Sequence, residues 1–304
     1  MAVKAGLWGG EGIRSPEAPR HETRSGRDMT AASDRTSLPP GGGALEIRDL
    51  RVRYATNGTW AVRDASLLVA TERVVIVGPN GSGKSTLLKA ALGLVPIDSG
   101  VVRVLGQDVR TIHGETGVGT NLEEVYRLMT IPVEGLIRLW AQLKGCDAGG
   151  LRHEFDAFGL EAAMDRPLFQ LSTGQAKLVG NLLALAGEPR LLLLDEPFDN
   201  VDFGRRRRYI ERLGRSRAAI VMNTHELDLL PSFPDWSLYF MFEGQLIGRF
   251  RTGDIDRLYV SRGARPKALA TFESSLGTVS VTFDLGEVPM KGASNLSYLL
   301  ERIA

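Results

Sequence analysis

Residues 74–86 read VVIVGPNGSGKST, and the division of that stretch decides the fold. Val74, Val75, Ile76 and Val77 are apolar and β-branched, the composition of a strand buried on both faces. A glycine-rich turn follows at once, and Thr86 to Leu92 is a good helix start. Gly78, Gly83, Lys84 and Ser85 fit G-x-x-x-x-G-K-S/T in the strand, loop, helix context that a phosphate-binding loop needs. Glycine at 78, 81 and 83 lets the backbone curl until the N–H groups of the loop, through Asn80, Ser82 and Thr86, point inward at phosphate oxygens. The dipole of the following helix adds partial positive charge at the same place. Lys84 then reaches the β- and γ-phosphates, and the Ser85 hydroxyl ligates Mg²⁺.

Downstream, two more apolar runs end in polar residues. Leu191 to Leu194 lead into Asp195 and Glu196, and Ala218 to Met222 lead through Asn223 and Thr224 to His225. Strands alternating with helical patterns argue a parallel sheet, whose active groups gather at the carboxyl ends of the strands. There Asp195 is placed for the metal and Glu196 for the base that polarises an attacking water. Two adjacent acids at a strand end otherwise read as solvated loop charges.

Upstream, residues 1–43 are rich in Gly, Pro, Ser, Arg and Glu without periodicity, which predicts a disordered tail. Met29 lies inside it as an alternative start. From Ala44 the pattern changes: Leu45, Ile47, Leu50, Val52 and Tyr54 approximate alternation, and Trp60 to Ala70 forms a second strand-like run, an antiparallel layer before the loop. Residues 101–106 read as a strand and 111–120 as a loop. Val133, Leu136, Ile137, Trp140 and Leu143 recur at helical spacing, so residues 121–169 form a mostly helical insert. Ser172 is placed to cap a further helix. Past Asp256, two short strands and a helix capped by Ser294, with Leu296, Leu299, Leu300 and Ile303 on one face, predict a small α/β appendage.

Composition excludes other classes. Net charge is +1 over 304 residues, with 37 basic against 36 acidic, so nothing asks for nucleic acid. Arg205 to Arg208 form a basic run, but Tyr209, Ile210 and Leu213 give it a helical pattern, and a solvated helix face suffices. His21, His113 and His153 lack partners at metal spacing and read as surface residues. The single cysteine, Cys146, rules out an internal disulfide. No run reaches the about 18 apolar residues of a membrane span, and the first residues lack a secretory pattern.

Beside the phosphate loop stands Leu-Ser-Thr-Gly-Gln at 171–175, similar to the LSGGQ signature of ATP-binding cassette (ABC) transporters with Thr173 for a glycine. Leu191 to Asp202 resembles that family's Walker B strand, catalytic glutamate and D-loop, His225 its switch histidine, and Tyr54 the aromatic that stacks on adenine. As an edge-strand aromatic, Tyr54 also has an ordinary structural reading. The resemblance covers about residues 44–255, with the insert at about 121–180 and the appendage at 256–304. It implies a P-loop NTPase of the α/β class, with an antiparallel β layer, a helical insert carrying the signature and the small C-terminal appendage.

The resemblance also implies roles. ATP and Mg²⁺ would be bound, with Ser172, Gly174, Gln175 and Asp202 facing the nucleotide of a second subunit packed head to tail. Counting back from Leu128 to Thr130 places Asn121 where the family has a glutamine, with a role at Mg²⁺ and the lytic water that its shorter side chain strains to reach. Residues 121–127 would meet a separate membrane-spanning permease on the cytoplasmic face of the membrane. A non-transport member acting on ribosomes, chromosomes or iron–sulfur assembly is the alternative, as is a nucleotide sensor without turnover. Ribosome-type members carry two cassettes and chromosome-type members a long coiled coil; this chain has neither.

Overall fold

The computed structural model describes residues 43–54, 58–126, 130–275 and 277–303. The expected N-terminal tail up to residue 42, Met29, and Arg127 to Met129 of the expected permease contact lie outside the described residues. The first elements are β1 (Leu45–Arg53), β2 (Trp60–Val69), β3 (Arg73–Val77), α1 (Lys84–Ala91), β4 (Ser99–Val104) and β5 (Gln107–Asp108). The antiparallel layer has the order β2-β1-β4-β5. Leu45, Ile47, Leu50 and Val52 are all buried although the spacing breaks after Ile47, because the register shifts there and Asp49 takes a φ of 45°. A bulge of this kind returns the apolar residues to one face.

Next come β6 (Val118–Thr120), α2 (Val133–Lys144), α3 (Ala148–Ala157), α4 (Thr173–Ala184), β7 (Leu191–Asp195), α5 (Phe203–Arg215), β8 (Ala219–Thr224), β9 (Ser237–Phe242) and β10 (Gln245–Arg251). They build a sheet of order β10-β9-β3-β8-β7-β6, parallel except for β10. Val74 to Val77 and Leu191 to Leu194 are at most 2% exposed, as strands covered on both faces must be. Residues 118–120 were expected in a loop; three residues of glycine and β-branched side chains carry too little pattern, and pairing with Leu191 to Leu193 makes them a strand.

In the insert, α2 buries Val133, Leu136, Ile137 and Trp140, whereas Leu143, expected on that stripe, is 55% exposed. The arginine run is less solvated than its composition predicts. Arg205 donates to the carbonyls of Phe158 and Gly159 at 2.9 and 2.8 Å, and Arg208 to Ala157 O at 2.7 Å. With Arg212 on Glu154 at 2.5 Å, they fasten the end of α3 to α5. Arg207, paired with Glu211, faces solvent, and Arg208 stays exposed despite its carbonyl contact.

The C-terminal part adds β11 (Leu258–Arg262), β12 (Ala270–Ser274), β13 (Gly277–Phe283), β14 (Val288–Pro289) and α6 (Leu296–Ile303), with sheet order β12-β13-β11-β14. Sequence reasoning finds β12 and β13, which are joined by a turn, and misses β11 and β14, whose pairing is non-local. The cap of α6 is Asn295, whose Oδ1 accepts from Tyr298 N at 3.0 Å, rather than Ser294. Leu296, Leu299 and Ile303 are buried as expected; the side chain of Leu300 lies outside the described ones. One continuous core joins insert, parallel sheet and appendage, and Phe242 stacks on Phe272 with centroids 4.7 Å apart.

Candidate functional site

The phosphate loop sits between β3 and α1. Gly83 precedes α1 with a φ of 104°, and a Cβ there would lie 2.1 Å from Ala61 O, so only glycine fits. Gly244 N, in the β9–β10 turn, donates to Ser82 O at 2.9 Å and supports the loop from outside. An open cavity of about 360 Å³ lies against it, lined by Tyr54, Trp60, Ala61, Asn80, Gly81, Gly83, Lys84, Ser85, Thr86 and Glu196. Lys84 is buried, its Nζ donating to Gly78 O at 2.7 Å and Pro79 O at 3.1 Å and lying 3.5 Å from Glu196 Oε1. Burial lowers its pKa from 10.5, and the charges of Glu196 and Asp195 act against that shift.

The carboxyl ends of β3, β7 and β8 bring the remaining groups to the loop. Ser85 Oγ donates to Asp195 Oδ1 at 2.8 Å. Glu196 has a φ of 44°, which breaks the strand after Asp195, and its carboxylate lies between Lys84 and His225. His225 Nδ1 is 3.0 Å from Glu196 Oε2, and its backbone N–H donates to the same oxygen at 3.2 Å. Asn223, which sequence reasoning passed over, joins the two acids. Its Nδ2 donates to Asp195 Oδ1 at 2.6 Å and its Oδ1 accepts from Glu196 N at 2.8 Å. The available signal was a polar residue in an otherwise apolar strand, two positions before the histidine.

Asn121 belongs to the same cluster. It is fully buried; Oδ1 accepts from Asp195 N at 2.7 Å, and Nδ2 donates to Asn181 Oδ1 at 2.7 Å and Asp195 O at 3.1 Å. Both ends of its amide are engaged, with the Asp195 backbone and with Asn181. Asn181 in turn donates to Pro197 O at 2.6 Å.

Tyr54 is 40% exposed at the cavity and its hydroxyl pairs with Thr86 Oγ1 at 3.1 Å. Trp60, a second aromatic there that the sequence did not single out, has the Arg53 guanidinium 4.8 Å from its centroid. Ser172, Gly174, Gln175 and Asp202 are not among the lining residues of this cavity. Ser172 caps α4 in a reciprocal box, accepting from Gln175 N at 3.3 Å while its own N–H donates to Gln175 Oε1 at 3.1 Å. A Cβ on Gly174 would lie 2.1 Å from Asn200 O, so the helix start and the turn after Glu196 touch through bare backbone. Asp202 caps α5, accepting from Arg205 N at 3.0 Å, and this hydrogen bond together with the Arg205 charge holds its carboxyl below the usual range.

A family model described as ABC transporter matches residues 64–199, which contain the phosphate loop, the signature and both carboxylates. A Thermosynechococcus vestitus protein named as an ABC transporter ATP-binding protein is 31% identical over 218 residues, 66% of this chain and 76% of that protein. The Fe(3+) ions import ATP-binding protein FbpC of Streptomyces avermitilis is 35% identical over 176 residues; these are 56% of this chain and 50% of FbpC, so the chain spans about half of that relative. Among solved structures, one described as a cobalt transport ATP-binding protein superposes with a TM-score of 0.75 at 32% identity, covering 85% of this chain and all of that one. Loop, signature and carboxylates coincide with that likeness, and the chain belongs to the ABC transporter family as an ATP-binding, ATP-hydrolysing cassette.

Proposed function

We propose that the chain powers a separate membrane-spanning permease by binding MgATP, closing head to tail on a second cassette and hydrolysing the nucleotide. The observation that carries this reading is the hydrogen-bonded series Ser85, Asp195, Asn223, Glu196, His225 beside the phosphate loop. Ser85 Oγ and Asp195 Oδ1 are hard oxygen donors that suit Mg²⁺, and no cluster of three or more His, Cys, Asp or Glu is found among the described residues. Such a donor pair fits a cation whose other ligands are phosphate oxygens and water. When bound, Mg²⁺ supplies charge neutralisation at the transferring phosphoryl group.

The residues do the rest. Lys84 leaves its carbonyl partners for the β- and γ-phosphates, and the amides of residues 80–86 close round them. Glu196, freed of Lys84, takes the proton of the attacking water, while His225 Nδ1 and Asn223 hold its carboxylate and backbone in place. Tyr54 and Trp60 pack on the base. Ser172 and the first amides of α4 face the γ-phosphate bound by the other subunit, which accounts for their absence from this chain's own cavity. Among the described residues no helix is long and apolar enough to cross a membrane. The permease of this reading is a separate membrane-spanning subunit, met at the cytoplasmic face. Phosphate release by the full chain tests the reading: turnover is expected with ATP and Mg²⁺, lost with chelator and in Lys84→Ala. Equal rates in that variant contradict it.

A further inference from the structure

A hydrogen-bonded contact runs from the C-terminal appendage to the residues beside the switch histidine. Leu227 N donates to Ser294 O at 2.9 Å, and Glu226 pairs with Asn295 as an antiparallel bridge. Ser294 and Asn295 lead directly into α6, and Asn295 closes its first turn. Leu227, Leu296 and Leu299 are at most 3% exposed, so the contact is backed by the shared core. On its other side the Glu226 carboxylate is held by Arg206, with Nη1 to Oε2 at 2.9 Å and Nη2 to Oε1 at 3.4 Å. The same guanidinium donates to Phe198 O at 3.1 Å. Arg206 therefore ties the backbone two residues beyond Glu196 to the residue beyond His225, and those positions flank the 3.0 Å contact between the two side chains.

We propose that Glu226 is a positioning residue for His225, braced between Arg206 and the Ser294–Asn295 segment, so that the C-terminal appendage sets the geometry of hydrolysis. The proposal rests on Glu196 and His225 acting as base and switch. Beyond Thr224 the chain leaves β8, and the bridge to Asn295 replaces the pairing a strand would have given it. The Arg206 and Glu226 side chains are 23% and 21% exposed, so their charges are less screened than those of a surface pair, and removing either leaves the other uncompensated. A shift of the carboxylate-to-imidazole contact by a fraction of an ångström then passes straight into the hydrolytic rate. Whatever orders or displaces α6 acts on the same contact.

The test measures turnover, nucleotide affinity and melting temperature in the full chain. Glu226→Ala and Arg206→Met are expected to lower kcat about tenfold with KM and ATP affinity within about twofold, and Arg206→Lys, which keeps the charge and a donor, to retain most of it. Asn295→Ala, which removes the cap on the appendage side, is expected to lower kcat about threefold, and Asn295→Asp, which keeps the cap, to restore it. Wild-type kcat in Glu226→Ala beside an inactive His225→Ala overturns the brace and leaves the switch reading standing. Full turnover in His225→Ala overturns the switch reading itself. If those two variants unfold, the double-mutant cycle of Arg206→Lys with Glu226→Asp decides: kcat losses that simply add overturn the proposal. An unchanged kcat in Asn295→Ala with a lowered melting temperature removes the appendage from it.

Discussion

Gly174→Ala separates two roles for the signature glycine, one within the chain and one across a dimer. The added Cβ would stand 2.1 Å from Asn200 O and 3.2 Å from Asn200 C. Neither side can yield by a rotamer change, since both are backbone. Gly174 lies in the first turn of α4, and Asn200, at a φ of 57°, sits in a turn closed by Val201 N to Phe198 O at 3.2 Å and Asp199 N to Glu196 O at 3.2 Å. Relief requires a backbone shift of about 1 Å, and overpacking of this kind costs about 1–3 kcal/mol. At about 1.5–2 °C per kcal/mol for a protein of this size, the melting temperature should fall by about 3–4 °C for a cost near 2 kcal/mol. The assay is thermal unfolding of the full chain without nucleotide, where contacts across a dimer play no part. Thr173→Gly is the control: it alters the adjacent, exposed position and should stay within about 0.5 kcal/mol. An unchanged melting temperature for Gly174→Ala would refute the reasoning and leave the glycine to the partner's nucleotide alone.

Asn121→Ala orphans the buried Asp195 N–H and Asn181, so it should cost about 2–4 kcal/mol in denaturant unfolding, while the Mg²⁺ concentration for half-maximal turnover moves less than about twofold. A large shift in the Mg²⁺ requirement without loss of stability would assign Asn121 to the metal instead. Tyr54→Ala and Trp60→Ala should each weaken ATP binding while leaving inorganic tripolyphosphate binding unchanged, as calorimetric titration with both ligands would read. Hydrogen bonds from Ser275 hold the Glu243 carboxyl below its ordinary 4.5. The stability this adds is present above about pH 4.5 and is lost as pH falls through the lowered folded value, so Glu243→Gln should flatten the acid limb of melting temperature against pH.

The sequence was most legible where local chemistry is obligatory. A strand buried on both faces, a turn that only glycine can make and a lysine after it leave few alternatives, and the loop from Gly78 to Thr86 stands where those residues predict. Asp195, Glu196 and His225 were legible because apolar runs end at them. Asn223 and Asn181 were not, since a buried asparagine declares its partners only once the strands are paired. The partners of Asn121 were illegible for the same reason: its neighbour in space is the Asp195 backbone, 74 residues away. The arginine run looked solvated because carbonyl acceptors such as Phe158 O carry no sequence mark. Strands β11 and β14 were missed because each is short and pairs across distant chain.

Glu196→Gln tests the central claim most directly, because it removes the base and keeps the shape. With ATP and Mg²⁺ the account predicts that this variant binds nucleotide, elutes as a dimer and hydrolyses at least about a hundredfold more slowly than the wild type. Hydrolysis at the wild-type rate, or a chain that stays monomeric with ATP bound, would contradict it.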